Sequence, residues 1–450
     1  MEEKEGEITE VGKDEKTNPR MQQSQKFQKI FERYEKSIAT LREFFSYLNP
    51  VVVQIGEKIK EKIGSSVKAM SEEFREIASD KEIEEFNECL NKLGEKLKGK
   101  GSTEIILDDM SPLVGKYFYK FIRIITSSHD DIHHEILNRS ILMSMISYFE
   151  ILVSDLAHVY YLVAPDAVAS DDKILSFNEL KRFDSIDEAV DTIISDRVDK
   201  LLRGGVEDWR KFFLSHTKID LSLVTPSWPD FVEYFQRRNL IVHNGGRVDE
   251  KYLSIVEFDK LTVRSTRPMI DDILKTDDTY VSQCLDNFEV TGLLFCQEIW
   301  GKLLAGEQEN RLNSINGLTA VIYERLLSRH WYVAGLLAQW GEQDKEASET
   351  DILVCKFNRW LCMKRRGLWE IVKKEVEAFD CSAKNHRYEL ARVSLLEKTD
   401  VFFSLLPKVL GTDISIGELQ EWPILEEIRK DARYVQTIKE AKNKMDNKEN

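Results

Sequence analysis

Two arginines, an asparagine and a histidine lie close together in the sequence RRNLIVHNGG. The segment begins with Arg237 and Arg238, continues with Asn239 and three apolar residues, and then reaches His243. An imidazole can take or give a proton near neutral pH, and a guanidinium is a permanent positive charge. These residue types are therefore suited to acid–base chemistry beside a fixed cation.

The flanking residues predict that this segment ends a helix. Pro229 suits the first turn of a helix, whereas Asn244, Gly245 and Gly246 suit a C-cap, so we expect a helix over residues 229–243. His243 would then lie in the last turn, where the helix dipole favours its protonated form and moves its titration toward neutral pH.

The helical spacing sorts these residues onto faces. Residues 240–242 are expected to face a core, while Asn239 and His243, four residues apart, share another face. Arg238 lies about 140° around an ideal helix from His243, so the two would meet only through the long arginine side chain or a relaxed last turn. An alternative stays open, in which the arginine and histidine only cap the helix and bond a neighbouring carbonyl.

The run RNLIVHNGG resembles the motif of the HEPN superfamily of helical ribonucleases. In these proteins an arginine, often a polar residue, and a few apolar positions precede a histidine, a pattern matched here by Arg238, Asn239 and His243. The resemblance extends over roughly residues 110–300 and includes the preceding apolar segment SILMSMISYFEILVSDLAHVYY and the segment LLRGGVEDW.

The resemblance implies RNA cleavage without a metal or other cofactor, in which the ribose 2′-hydroxyl attacks the adjacent phosphate and leaves a 2′,3′-cyclic phosphate. His243 would take or give a proton, and Arg238 would neutralise the charge that develops on the phosphate. Asn239 would orient the imidazole or a phosphate oxygen. Arg237 would help bind phosphate, with a solvated surface role as the alternative. Glu150 would be a supporting polar residue near the site, with a surface charge as the alternative.

The resemblance also implies a homodimer with a composite active site. One histidine cannot stand on both sides of an in-line displacement, whereas two copies of the motif can. One branch of the family carries a tyrosine two residues after the histidine; Gly245 stands there in this chain, which disfavours an antitoxin that nucleotidylates tyrosine. Related prokaryotic proteins suggest a role in anti-phage defence, with tRNA or another cellular or phage RNA as substrate.

Other groups of polar residues give weaker predictions. His129, His133 and His134 include a spacing of four that could hold a metal, but no third ligand is evident and a polar helix start fits better. The basic residues 364–366 favour a solvated hairpin edge over an RNA contact. The sequence has no GxxxxGK[ST], GxSxG or HExxH motif, which leaves a nucleotide hydrolase, serine hydrolase or zinc protease without support.

Composition sets the broad class. The 450 residues are 42% hydrophobic and 32% charged, and 9 prolines and 21 glycines are too few for a β sandwich or barrel, so we expect an all-α protein. A net charge of −15 argues against a general nucleic-acid coat protein but allows a small basic site. The acidic first residues and the absence of an uninterrupted apolar span predict a cytoplasmic protein without a membrane-spanning segment. Six cysteines without a CxxC pair predict reduced thiols and no structural zinc site.

Apolar periodicity divides the chain into five parts. We expect flexible tails over 1–24 and 439–450, an N-terminal helical segment over 25–100 that ends in the linker KLKGKGS, and a HEPN-like bundle over 105–305. Within the bundle, helices are expected over 136–162, 186–202, 209–214 and 280–304.

The last part, residues 310–438, is expected to form helical hairpins. Offsets of 33 and 35 residues superpose apolar positions, similar to the spacing of tetratricopeptide repeats, with an irregular helical bundle as the alternative. These hairpins could bind a protein partner. A non-catalytic dimerising scaffold and an RNA-binding module without turnover therefore stay open beside the nuclease.

Overall fold

The computed structural model describes residues 19–97, 110–126, 132–164, 167, 176–262, 267–306 and 308–449. Within these residues the chain forms α-helices and short 3-10 turns and no β-strand, which confirms the all-α class. Most of the predicted N-terminal tail, most of the predicted linker near residue 100, and His129 lie outside them.

Eighteen α-helices are found in this part of the chain. The first nine are α1 Pro19–Ile77, α2 Asp80–Leu97, α3 Pro112–Thr126, α4 Ile132–Val163, α5 Phe177–Leu180, α6 Ile186–Leu202, α7 Val206–Thr217, α8 Trp228–Asn244 and α9 Glu250–Ile255. The others are α10 Asp278–Leu303, α11 Gln308–Leu327, α12 Trp331–Glu342, α13 Glu349–Arg365, α14 Trp369–Ala378, α15 His386–Leu395, α16 Thr399–Val409, α17 Ile416–Glu421 and α18 Ala432–Glu449.

The central bundle forms where α1, α4 and α10 pack on one another. Phe149 of α4 is fully buried, and its ring lies 5.1 Å from that of Phe231 on α8 and 5.7 Å from that of Phe288 on α10. Gly292 of α10 allows the Tyr34 ring of α1 to pack closely, since a Cβ there would lie 2.1 Å from it. These aromatic contacts hold α8 against α4.

A buried carboxylate joins three helices beside this aromatic core. Glu289 of α10 has no exposed surface, and it accepts hydrogen bonds from Arg42 of α1, at 2.6 Å, and from Arg325 of α11. Arg325 also donates to Glu35 of α1. Burial raises the pKa of Glu289, but Arg42 and Arg325 more than reverse this effect, so its pKa lies below the usual range.

The chain divides differently from the sequence-based prediction near residue 100. The first part of α1, from Phe27 to Phe45, belongs to the main core together with residues as distant as Ile438. The end of α1 instead packs with α2 and α3 around a separate small core. The predicted N-terminal segment is therefore shared between two cores, because one 59-residue helix runs from one to the other.

The C-terminal part contains three helical hairpins, formed by α11 with α12, α13 with α14 and α15 with α16. Each hairpin turns through three residues, and the N–H of the third turn residue donates to the carbonyl five residues earlier at 2.8–2.9 Å. The middle residue of each turn has a positive φ: Arg329, Gly367 and Glu397. The hairpins share the main core with the central bundle, so the predicted boundary at 305–310 does not separate two cores.

Two helices extend into the segments that were expected to be flexible tails. Helix α18 continues to Glu449 where a flexible tail was predicted from residue 439, since its alanines, lysines and glutamates favour helix even without an apolar stripe. At the other end, α1 begins at Pro19, inside the predicted tail.

In the described part of the chain, one helix is long and apolar enough to cross a membrane, the segment His133–Val163 of α4. Half of its apolar window is buried inside the protein, against α1, α6 and α10. This burial accounts for its composition, as in the core helix of a soluble protein.

We expect Glu289→Gln to lower the free energy of unfolding by about 3–5 kcal/mol, because it leaves two arginines facing a neutral amide in the core. Denaturant unfolding followed by far-UV circular dichroism measures the change. Glu324→Gln is the matched control, since the Glu324 side chain is 69% exposed and lies 3.9 Å from Arg325. Equal effects of the two substitutions would contradict a structural role for the buried charge.

Candidate functional site

Helix α8 carries the Arg238 to His243 segment and has the predicted ends. The side chain of Ser227 accepts the N–H of Asp230 at its start, and Pro229 lies in the first turn. At its end Gly245 has φ +60°, and the N–H of Gly246 donates to the carbonyl of Leu240 at 2.9 Å. The expectation of a helix over 229–243 is confirmed, with the observed bounds Trp228–Asn244.

The structure brings together three of the predicted site residues. The Arg238 guanidinium donates to the Glu150 carboxylate of α4 and, at 3.4 Å, to the amide oxygen of Asn239. The side chains of Arg238 and Glu150 are 26% and 32% exposed, so both remain within reach of solvent. Glu150 is thus a partner of Arg238 and not an isolated surface charge.

His243 lies apart from this group. It is exposed, and it makes no hydrogen bond or ion pair with any described residue. Arg238 is five positions earlier, which turns it about 140° away on the helix. A single chain therefore presents two separate groups on different sides of the same helix end. One is a guanidinium that pairs with a carboxylate, and the other is an imidazole without a partner.

Arg237 has a structural role, and its predicted contact with phosphate does not fit the structure. Its guanidinium donates to the buried Glu233 at 2.7 Å and to the carbonyl of Lys275 at 2.8 Å, and lies 4.5 Å from the centre of the Tyr280 ring. Tyr252 and Tyr280 donate to the same carboxylate at 2.6 and 2.7 Å. Burial lowers the pKa of Arg237, but Glu233 outweighs it and keeps the pKa raised.

The apolar residues of the segment were predicted to face a core, which is wrong for one of them. Leu240 is buried and Ile241 is half-buried, but Val242 is 55% exposed. Three consecutive helical residues span about 200° of the helix surface, so they cannot all face one core. Val242 and His243 are exposed neighbours at the end of α8.

Arg139 is a residue near the site that sequence reasoning missed. A Cβ on Gly246, whose φ is +85°, would lie 3.0 Å from Nη2 of Arg139, so the guanidinium lies against the backbone at the end of α8. Arg139 and Glu150 are eleven residues apart on α4 and therefore share one face of that helix. This spacing was a signal that the two residues lie on the same side of α4.

The other candidate groups are used within the fold. His134 bonds Oδ1 of Asn49 at 2.7 Å and lies 2.8 Å from Oδ1 of Asp278, so it joins α4 to α1 and α10. Among the described residues, no group of three or more His, Cys, Asp or Glu side chains is arranged to hold a metal ion. In the basic cluster 364–366, Lys364 and Arg365 pair with carboxylates, whereas Arg366 is exposed.

No protein-family model, curated protein or solved structure shows significant similarity to this chain.

The contrast between His243 and Arg237 can be tested through stability. We expect His243→Ala to change the free energy of unfolding by no more than about 0.5 kcal/mol, because the imidazole has no partner. Arg237→Ala should cost about 3 kcal/mol or more, because Glu233 would be left buried without its cation. Thermal and urea unfolding of the two variants measure both values. A large loss of stability in His243→Ala would assign His243 to the fold.

Proposed function

We propose that this protein is a metal-independent endoribonuclease that uses Arg238, Asn239 and His243. One observation carries the proposal: the end of α8 presents an exposed imidazole without a structural partner and, on another side of the same helix, a guanidinium that is held by a carboxylate but open to solvent. Arg237, which serves only the fold, has a less exposed side chain, at 14%, and its guanidinium is engaged by Glu233 and by the carbonyl of Lys275. The resemblance of this segment to the HEPN motif supports the proposal.

The reaction requires two proton transfers. A base removes the proton of the ribose 2′-hydroxyl while O2′ forms a bond to phosphorus. The bond from phosphorus to O5′ then breaks, and an acid donates a proton to the leaving O5′. The products are a 2′,3′-cyclic phosphate and a 5′-hydroxyl, and Arg238 would neutralise the negative charge that develops on the phosphate oxygens.

A homodimer would supply both the acid and the base. The base and the acid act on opposite sides of the phosphorus, so two copies of His243 are needed in one site. The exposed Val242 beside His243 offers apolar surface that a second copy could cover. In such a dimer, each chain would contribute one imidazole and one guanidinium.

Glu150 would hold Arg238 ready for the phosphate. Without RNA the carboxylate pairs with the guanidinium, and a phosphate would compete for the same N–H groups. We propose that the substrate is cytoplasmic RNA, with tRNA as the first candidate, and that the protein acts in anti-phage defence.

A second candidate function is a scaffold that recruits a protein partner. A groove of about 280 Å³ on the C-terminal hairpins is lined by four aromatic side chains and by Asn358 and Arg387. The aromatic residues are Tyr323, Phe357, Tyr388 and Trp422. Such a groove favours an extended segment of a partner protein, and it could serve either the scaffold or a regulated nuclease.

The nuclease is tested by incubating purified protein with end-labelled total tRNA in EDTA. We expect the wild type to cleave and to leave cyclic phosphate ends, and His243→Ala and Arg238→Ala each to reduce the rate by about 100-fold or more. His386→Ala is the matched control, because this histidine is 73% exposed on α15. Cleavage that survives in His243→Ala would contradict the proposal.

If purified wild type does not cleave, toxicity in cells separates a missing activator from a scaffold. If cells supply a missing activator of a nuclease, expression of the wild type would be toxic and expression of His243→Ala would be harmless. A scaffold would give the same result with both.

A further inference from the structure

A second cleft, which shares no residue with the site on α8, lies where the first helical hairpin meets the N-terminal helix. It has a volume of about 520 Å³, within the range of small-molecule sites. Its walls come from α1, α10, the turn before α12 and the end of α13. These elements belong to one continuous core, so the cleft is formed by the packing of the hairpin on the bundle.

Three arginines from three different elements line this cleft: Arg42, Arg329 and Arg366. Among the described residues that line the cleft, the only carboxylate is that of Asp286. Arg42 is engaged by Asp286 and Glu289, and Arg329 by Glu426 at 2.8 Å.

Arg366 is the arginine free to bind a ligand. It is exposed, it forms no ion pair with any described residue, and its guanidinium lies 4.8 Å from the centre of the Tyr332 ring. Its neighbours Lys364 and Arg365 both pair with carboxylates. The ring of Tyr332 holds the guanidinium at the cleft without neutralising it.

His330 adds no positive charge to the cleft near neutral pH. Burial, more than the nearby Arg42, lowers the pKa of His330 to about 4, so the imidazole is neutral there. The lining also includes the first residues of α12, the twelve-residue helix that begins at Trp331, and the N-terminal end of a helix favours negative charge.

Asp286 adds a negative group to the lining that contains Arg366. Its carboxylate pairs with Arg42 at 2.8 Å and lines the same cleft as Arg366. A ligand that presents a negative group to Arg366 and an N–H donor to Asp286 would match both charges. A nucleotide has both, through its phosphate and the exocyclic amino group of its base, and Trp331 and Tyr332 supply aromatic surface.

We infer that this cleft binds a nucleoside phosphate, with the phosphate at Arg366 and Arg329 and an amino-bearing base near Asp286. The ligand is either a free nucleotide or the phosphorylated end of a nucleic acid strand. The inference does not depend on RNA cleavage at α8, because the two sites share no residue.

Isothermal titration of the full-length protein with AMP, GMP, UMP and inorganic phosphate tests this inference. We expect one AMP or GMP per chain, and Arg366→Ala to weaken AMP binding about tenfold or more. UMP should bind more weakly, because its base has no exocyclic amino group and its N3–H lies between two carbonyl oxygens that a carboxylate repels. Arg75→Ala is the matched control, since Arg75 is also exposed but lies on the part of α1 outside the cleft. Asp286→Asn should reduce the preference for AMP over UMP.

A 5′-phosphorylated trinucleotide and its unphosphorylated form distinguish the two sources. Tighter binding of the phosphorylated trinucleotide than of AMP assigns the site to strand ends, and the reverse assigns it to free nucleotides. Either result supports the site. The inference is overturned if no nucleotide binds at millimolar concentration, if inorganic phosphate binds as tightly as AMP, or if Arg366→Ala binds AMP like the wild type.

Discussion

The fold depends on burying one negative charge between two positive ones. Glu289 lies on α10 with no exposed surface, and Arg42 of α1 and Arg325 of α11 both donate to it. A buried carboxylate is costly unless it is paired and hydrogen-bonded, so the three helices must meet in this one arrangement. The N-terminal helix, the central bundle and the first hairpin are thereby joined in one core, and both candidate sites lie on its surface.

The two sites differ in how this core supports them. At α8, the aromatic core around Phe149 fixes the adjacent Glu150, which in turn holds Arg238. His243 projects past the last supported turn, so one chain completes only part of a site for in-line cleavage. The cleft near Arg366 is instead enclosed within one chain, because Arg42 links its wall directly to the buried Glu289.

Local sequence signals predicted the helices well but not their assembly. Pro229 and Gly245 marked the ends of α8 because each acts through its own backbone conformation. The two cores do not follow the division expected near residue 100, because periodicity cannot show that one long helix serves two cores. Spacing also could not show that Arg237 and Arg238 have different roles. The role of Arg237 depends on Tyr252 and Tyr280, which are distant in sequence. Glu233, four residues before Arg237, was a local sign of an ion pair.

The central claim is that two chains build one cleaving site, and mixing subunits tests it most directly. Wild type and His243→Ala are mixed in varied ratios, allowed to exchange subunits, and assayed for tRNA cleavage at constant total protein. If each site needs both imidazoles, activity falls with the square of the wild-type fraction, to about a quarter at equal amounts. Activity that falls in simple proportion, to about half at equal amounts, would contradict the composite site.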